Sequence, residues 1–343
     1  MRRLVLLATA LLALALAAAG CGKVSEVREP DVFAGEGIKP APDADRPAPA
    51  NENNIRIAVV THGQASSSFW AIVRNGVDAA ARQMNVSVSY RSPDTFNVEL
   101  MKNQIYTAVD SRPDGLVVSI PDPAVAPAIR RAERAGIPVV SINSGATLWR
   151  SLGVLAHVGQ REEPAGFAVG KRMAAAGVKR AICVNQEVGN QALDERCRGF
   201  TRALRRAGAT TSTFPIDAQD RAGSARRLTV EIRARKADGV LTLGGDAAGV
   251  ALETKKGGGR PTRARLATFD LSPEILEAVK DGRMLFAVDQ QAYLQGYMPI
   301  VMLTQRIRYG LFPSLGQTVS TGPSFITKDN AALALRTSAR GLR

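Results

Sequence analysis

From Ile55 onward the chain repeats one pattern. A short aliphatic run is followed by a few small or polar residues, and then by a segment whose apolar positions recur every three or four residues. The first run, IRIAVV from Ile55 to Val60, lacks a clean polar alternation, as expected of a strand buried on both faces. A loop of Gly, Gln and Ser follows, then an amphipathic stretch that opens with Phe69 and Trp70, then the alternating VSVSY ending at Tyr90. That order is a βαβ unit, whose helical crossover predicts parallel strands. The same reading predicts strands over 115–120, 138–142, 154–158, 181–184, 239–243, 265–269 and 284–288. It predicts helices over 98–109, 124–135, 164–176, 192–207 and 272–279. Ser272 is placed as an N-cap with Pro273 in the first turn, and Gly136, Gly177 and Gly208 fall where helices end. The body is too long for one small core. Regular alternation with short turns therefore predicts an α/β fold of two doubly wound parallel-sheet domains.

The chain before Ile55 has a different character. Arg2 and Arg3 precede the apolar run Leu4 to Leu16, which is too short for a comfortable membrane span and reads as an export signal. Ala18-Ala19-Gly20-Cys21 resembles a bacterial lipobox, with Ala18 where Leu is commoner. On that reading residues 1–21 are a lipoprotein signal peptide, Cys21 is the lipidation site, and acyl chains hold the mature protein at a membrane surface. Residues 22–54, rich in Pro, Ala, Asp and Asn, are expected to form a disordered tether.

Composition changes this picture little. The chain is 45% hydrophobic but only 5% aromatic, an aliphatic balance suited to α/β packing. Its net charge of +14 first suggests nucleic acid. Against that, the Arg residues are scattered over helix faces in runs no denser than Arg205-Arg206, and an exported protein does not meet the chromosome. A solvated basic surface near anionic lipid or cell wall is the expectation, with no nucleic acid partner.

In open parallel sheets, ligands bind beyond the carboxyl ends of the strands. The residues there are Gln64, Ser67, Phe69 and Trp70; Asn143 and Ser144; Asn185, Gln186, Glu187 and Asn190, with Arg196 in the next helix; Gly244-Gly245-Asp246; Asp270; and Asp289, Gln290 and Gln291. Amides, carboxylates, one Arg and an aromatic pair suit a neutral polyhydroxyl compound, because charged groups make the stronger hydrogen bonds to hydroxyls and aromatic faces cover the C–H side of a sugar ring. One of the two adjacent aromatics is expected to point over the sheet edge. Each residue also has a bland role: Asp270 as a helix cap, Asn143 and Asn190 as turn residues, Phe69 and Trp70 as helix packing, Arg196 in a surface ion pair.

At this point the stretches SSSFWAIVRNGVDAAA, DGLVVSIPDPAVAPAIRRAERAGIPVVSINSG, HVGQ, ALDERCRGF, TFDLSPEILEAVKDGRMLFAVDQQAYLQGY and TGPSFITKDN carry a resemblance. They resemble the type I periplasmic substrate-binding proteins of sugar ABC transporters, the ribose/galactose-binding class. The resemblance implies two similar lobes joined by a hinge of three crossings, near Val158–Gln160, Gln290 and Thr321. The N-terminal lobe would be 55–159 plus 291–321, and the C-terminal lobe 160–290 plus 322–343. It implies that Phe69 and Trp70 stack on the ligand and that Asn143, Asn190, Arg196, Asp270 and Gln290 bind it. Asn143 stands where an Asp is common, Ser144 where ribose binders often carry Arg, and Gly245 where Asn is usual, so the ribose and glucose patterns are not reproduced. The implied partners are a small-molecule sugar or polyol, an ABC permease that reads the closed form, and the membrane through the lipid anchor. The protein is expected to be an extracytoplasmic monomer without a cofactor.

Cys183 and Cys197 remain once Cys21 is set aside. An even pair in an oxidising compartment fits a disulfide, and two buried thiols fit equally. His62 and His157 are the only histidines. They make no Cys/His cluster, so no metal site is expected, and His157 is expected as a satisfied core residue. Gly257-Gly258-Gly259 lacks the Lys-Ser/Thr of a phosphate loop and is expected as a surface loop. Two other functions compete with transport. One is a ligand sensor of the same fold feeding a chemoreceptor or sensor kinase. The other is a secreted carbohydrate-active enzyme, for which no two carboxylates are fixed at the separation that chemistry needs. No enzyme is expected.

Overall fold

The computed structural model describes residues 54–63, 67–256 and 262–343. The signal-like segment, Cys21, the tether through residue 53, Gln64 and Gly257–Gly259 lie outside the described residues. The body runs β1 (Arg56–Val60), α1 (Ser68–Met84), β2 (Ser87–Arg91), α2 (Val98–Asp110), β3 (Gly115–Ser119), α3 (Ala126–Arg134), β4 (Val139–Ile142) and β5 (Ala156–Gly159). It continues with α4 (Glu162–Ala175), β6 (Arg180–Asn185), α5 (Gln191–Arg206), β7 (Thr210–Pro215), α6 (Arg221–Ala234), β8 (Gly239–Thr242), α7 (Gly245–Lys256), β9 (Arg265–Phe269), α8 (Pro273–Lys280) and β10 (Phe286–Asp289). Last come α9 (Ala292–Tyr309), β11 (Thr318–Ser320), β12 (Ser324–Ile326) and α10 (Ala331–Ser338).

Two six-stranded sheets result, ordered β11-β5-β4-β3-β1-β2 and β12-β10-β9-β8-β6-β7. Both are covered on both faces, and alternate residues of each central strand show why. Ala58 and Val60 of β1 pack with Met101 and Ile105 of α2 and Ile129 of α3. Ile57 and Val59 pack with Val73 and Val77 of α1 and Ile300 and Leu303 of α9. In the second sheet Ile182 and Val184 of β6 meet Leu228 of α6 and Leu276 of α8, while Ala181 and Cys183 meet Val169 of α4 and Phe200 of α5. A strand enclosed this way has no solvent face to mark with polar residues, which is why β1 reads as a continuous aliphatic run.

The chain crosses between the sheets three times: after β5, after β10 and between β11 and β12. Every strand but one runs parallel to its neighbours, and β12 pairs antiparallel with β10. The crossing geometry explains the exception. Ser320 ends β11 level with Gly159, the end of β5, and Ser324 opens β12 opposite Asp289, the end of β10. The chain therefore enters the second sheet at its carboxyl edge and must run away from it. Ser272 caps α8 as expected, its hydroxyl accepting from the Ile275 amide at 3.3 Å. Gly136, Gly177 and Gly208 all take positive φ just past helix ends. The strand β7 and the helices α6, α7, α9 and α10 went unread in the sequence.

Candidate functional site

The carboxyl ends of the two sheets face each other, and between them lies a cavity of about 210 Å³. That is small beside the roughly 300–1,000 Å³ of sites for drug-sized ligands, and suits a single sugar-sized ring. Phe69, Trp70, Asn143, Asn190, Arg196, Asp270 and Gln290 all line it. So do Gln186, Glu187 and Asp246, strand-end candidates outside the ligand set that the resemblance implies, and His62 and Phe96, which were not candidates.

The first wall belongs to β1, α1 and the loop after β2. Phe69 and Trp70 are both buried and meet edge to face with ring centroids 5.1 Å apart. One of the two is expected over the sheet edge; both line the cavity, and both pack into the core beneath it. Gly63 makes this possible, since a Cβ there would lie 1.4 Å from the Trp70 indole nitrogen. His62 stands edge-on to Trp70 at 5.0 Å and to Phe96 at 5.9 Å. Burial, with help from the Arg196 charge, pushes its imidazole down to about 3, so it is neutral. This wall is aromatic and uncharged.

The second wall carries the charges. Arg196, 2% exposed, comes from the first half of α5. Its Nε and Nη2 donate to the two oxygens of Glu162 at 2.6 and 3.0 Å, Nη1 donates to the Leu243 carbonyl at 2.7 Å, and Nη2 also reaches Gln290 Oε1 at 3.3 Å. The guanidinium stacks over the Phe269 ring at 4.4 Å. Four of its five N–H groups are thereby engaged, and one Nη1 hydrogen remains. This is a buried, bidentate ion pair, not a surface one. Helix α5 reaches Glu162 through close packing on α4: a Cβ on Gly166 would lie 2.1 Å from the Arg196 carbonyl oxygen.

Asp270 and Asn143 end their strands in the left-handed region, with φ of 70° and 58°. Asp and Asn tolerate that conformation better than most residues. Asp270 accepts from Gln290 Nε2 at 2.5 Å through Oδ1. Burial raises its carboxyl to about 6, against the opposing pull of Arg196. Ser272, not Asp270, caps the next helix. Glu187 accepts from Asn190 Nδ2 at 2.7 Å, and burial raises it to about 7. Burial also raises Asp246.

Asn190 is the joint between the walls. It caps α5, its Oδ1 accepting from the Ala192 amide at 3.1 Å and from Ser144 Oγ of the opposite wall at 3.3 Å. Those contacts fix the amide orientation, so Nδ2 donates to Glu187 and, across the cleft, to His62 Nε2 at 3.1 Å. His62 Nδ1 then carries the proton and donates to Ser119 Oγ at 2.8 Å. The Gln191 amide donates to the Pro121 carbonyl at 2.9 Å, and Thr147 Oγ1 to Glu195 at 3.1 Å. These cross-wall bonds hold the cleft closed.

At the hinge, Asn143 Nδ2 donates to Gln290 Oε1 and Gln295 Oε1, both at 3.3 Å. Gln295 Nε2 donates to the Gln290 carbonyl at 2.9 Å and to Thr321 Oγ1 at 3.2 Å. Cys183 and Cys197 are joined as a disulfide. The 14-residue separation it spans contains Gln186, Glu187, Asn190, Leu193 and Arg196, all lining the cavity. His157 corrects another expectation. Its Nδ1 pairs with Ser141 Oγ at 3.0 Å, but Nε2 is buried without a partner, so it is only half satisfied. Burial pushes it down to about 3, which keeps it neutral.

Glu187, Gln186 and Asp246 follow strand ends, where the sequence already pointed. His62 is the second residue past β1. Phe96 lies beyond β2, one of the strands from whose ends no candidate was taken.

The chain's likeness to known proteins is extensive. The family model for the periplasmic binding protein domain matches residues 57–310. A carbohydrate transporter from Acidothermus cellulolyticus 11B, solved in complex with myo-inositol, is 34% identical, with a TM-score of 0.80 over 84% of this chain and 100% of that one. The xylose/arabinose-binding protein XylF of Sulfolobus acidocaldarius is 22% identical over 298 residues, covering 80% of this chain and 71% of its own. An ABC transporter solute-binding protein from Burkholderia graminis C4D1M, solved with D-arabinose, is 22% identical with a TM-score of 0.72, over 82% of this chain and 97% of that one. At that identity the last likeness speaks for the fold.

Proposed function

Because the chain belongs to the periplasmic binding protein family, a family of binding proteins that work outside the cytoplasm, we propose that it captures a sugar or related cyclic polyol and delivers it to an ABC permease. The observation that carries this reading is the cavity itself. An aromatic wall of Phe69, Trp70 and Phe96 faces a wall of hydrogen-bonding side chains, at a size that fits one ring. The aromatic faces cover the C–H side of such a ring while carboxylates and amides meet its hydroxyls. The 34% identical relative with myo-inositol in its structure supports a cyclitol or monosaccharide over a longer saccharide.

Ligand held between two lobes adds contacts only when they are closed, so binding shifts the population towards closure, the state a permease reads. Phe69, Trp70, Asn143, Asn190, Arg196, Asp270 and Gln290 divide two tasks in this proposal. The aromatics and Asp270 face the ligand. Asn143, Asn190, Arg196 and Gln290, whose bonding capacity is largely used within the protein, set the shape of the cavity. The lobes are taken as 55–159 plus 291–321 and 160–290 plus 322–343. Lipidation at Cys21 and a tether over 22–54 would hold this monomer at the outer face of the membrane; mass spectrometry of the mature N-terminus tests that directly.

The experiment for the ligand is calorimetry of the full-length protein against myo-inositol, D-arabinose, D-xylose, D-fucose and D-allose. Saturable binding of at least one, weakened in Asp270→Ala without loss of folding, is expected. Absence of heat with all five, or full affinity in Asp270→Ala, would overturn the reading.

A further inference from the structure

The charges around the cavity do not balance. Arg196, the only guanidinium lining it among the described residues, is neutralised by the bidentate Glu162 behind it. Glu187, Asp246 and Asp270 remain in the lining, with the more exposed Asp217 as a fourth acid. Near Glu187 stand His62, with Nε2 at 3.7 Å and its imidazole neutral, and Arg196, whose charge also acts on Glu187 but is shared with Glu162. Arg221, the next cation towards Asp246, is itself paired with Glu253 and Glu274. The first wall offers no charge at all. A second observation points the same way. Asp270 is 8% exposed, yet among the described residues no hydrogen bond reaches its Oδ2, which faces the cavity beside Gly244. Gln186 Oε1 is buried without a partner in the same lining. The unmet side-chain groups named here are thus acceptors, set against one remaining Nη1 hydrogen of Arg196.

A bare metal ion does not answer this surplus. Among the described residues no three His, Cys, Asp or Glu side chains come close enough together to hold one. The carboxylates surround a space of about 210 Å³, suited to a positive charge spread on a ring-sized molecule. Opposite them, Trp70, Phe69 and Phe96 present faces that accept either C–H bonds or a cation.

We propose that the cavity takes a hydroxylated ring bearing an amino group, an amino sugar or aminocyclitol, with its ammonium towards Asp270 and Glu187 and its apolar face against Trp70. The inference rests on the sugar-binding reading and narrows its ligand. An ammonium supplies three donors and no acceptor, matching open valences on Asp270 and Gln186 that are acceptors. It also fills the charge deficit that a neutral polyol leaves. Sugar acids and sugar phosphates are rejected by the same three carboxylates.

The test is calorimetry at pH 7.5 and low salt on the full-length protein, with myo-inositol against its amino derivative scyllo-inosamine, and D-glucose against D-glucosamine. A sugar from the earlier panel that binds is compared with its own amino derivative. The amine is expected to bind about tenfold tighter than its parent, the margin of one charge-assisted hydrogen bond over a neutral one. That margin should vanish in Asp270→Asn and again in Glu187→Gln, so that failure of one variant to fold leaves the other to decide. A neutral parent that binds as tightly as its amine overturns this inference and leaves the sugar-binding reading standing. Absence of binding by every amine and every parent overturns both.

Discussion

Replacing Glu162 by Gln strips the partner from Arg196 while keeping its shape. Both side chains are almost fully buried, at 1% and 2% exposure, so the guanidinium cannot turn to water once the carboxylate is gone. At a charge separation of about 4 Å and an effective dielectric of about 20, the lost attraction is about 4 kcal/mol. Breaking one side of a buried pair characteristically costs about 3–5 kcal/mol, in agreement. For a body of this size that should lower the melting temperature on the order of 10 °C. Urea unfolding followed by circular dichroism measures it. The internal control is Glu163→Gln on the same helix, which breaks the pair with Arg202. Those side chains are 36% and 48% exposed, so its loss should cost no more than about 1 kcal/mol. A double variant, Glu162→Leu with Arg196→Met, removes both charges and should recover most of the stability while weakening ligand binding. Equal and small costs for Glu162→Gln and Glu163→Gln would refute the view that the buried pair sets the position of α5.

Three further outcomes follow from the same geometry. Burial raises Asp270 to about 6 and Glu187 to about 7 from ordinary values of 3.8 and 4.5. The folded, ligand-free protein thus holds protons on these two groups that the unfolded chain releases, a contribution to stability that falls as pH rises from about 4 to about 7, whereas the buried neutral His62 and His157 act in the opposite sense over the same window; stability measured relative to the double variant Asp270→Asn with Glu187→Gln should therefore fall across it, and a difference that stays flat would contradict the burial of these two carboxyls. Reducing the Cys183–Cys197 bond, which spans 14 residues, should lower stability by about 3 kcal/mol in urea melts with and without reductant, and coincident melts would show the loop to be held without it. Gly199→Ala would place a Cβ 2.0 Å from the Glu163 carbonyl oxygen and force α4 and α5 apart, at about 1–3 kcal/mol; an unchanged melting temperature would mean that this crossing is looser than the structure has it.

The strands were legible because strands covered on both faces are mostly aliphatic, and the runs at β1, β3, β4 and β8 are so apart from Arg56 at the start of β1 and small hydroxyl residues in the others. Helices α2, α3, α5 and α8 were legible because one polar face alternates with one buried face. Those that were missed break one of these conditions. In α9, Gly296 and Pro299 interrupt the apolar stripe; a Cβ on Gly296 would lie 1.9 Å from the Val73 carbonyl oxygen, so a close crossing with α1 dictates a residue that reads locally as a helix breaker. The edge strand β7 alternates exposed and half-buried residues, and its Thr-Thr-Ser-Thr has no aliphatic signal. Strand β12 has three residues, and its antiparallel direction follows from the third crossing, a property of the whole chain and not of its own sequence.

The site was legible in a different sense. The strand ends carry the seven residues of the ligand set into one cavity, together with Ser67, Gln186, Glu187, Gly244, Gly245 and Asp246, since topology alone brings carboxyl ends together. What scanning cannot give is how each residue spends its hydrogen bonds. Asn190 has all four of its side-chain valences met by Ala192, Ser144, His62 and Glu187, and Arg196 has four of five donors engaged. The open valences include the amide oxygen of Gln186, which lay outside the ligand set, and the far oxygen of Asp270. A polar side chain at a strand end can therefore serve recognition by closing the cavity as readily as by touching the ligand. The two roles separate only when partners are known, because a saturated group offers a ligand shape, and an unsaturated one offers it a bond. The chemistry of the guest is written in the second set, and here that set consists mainly of acceptors.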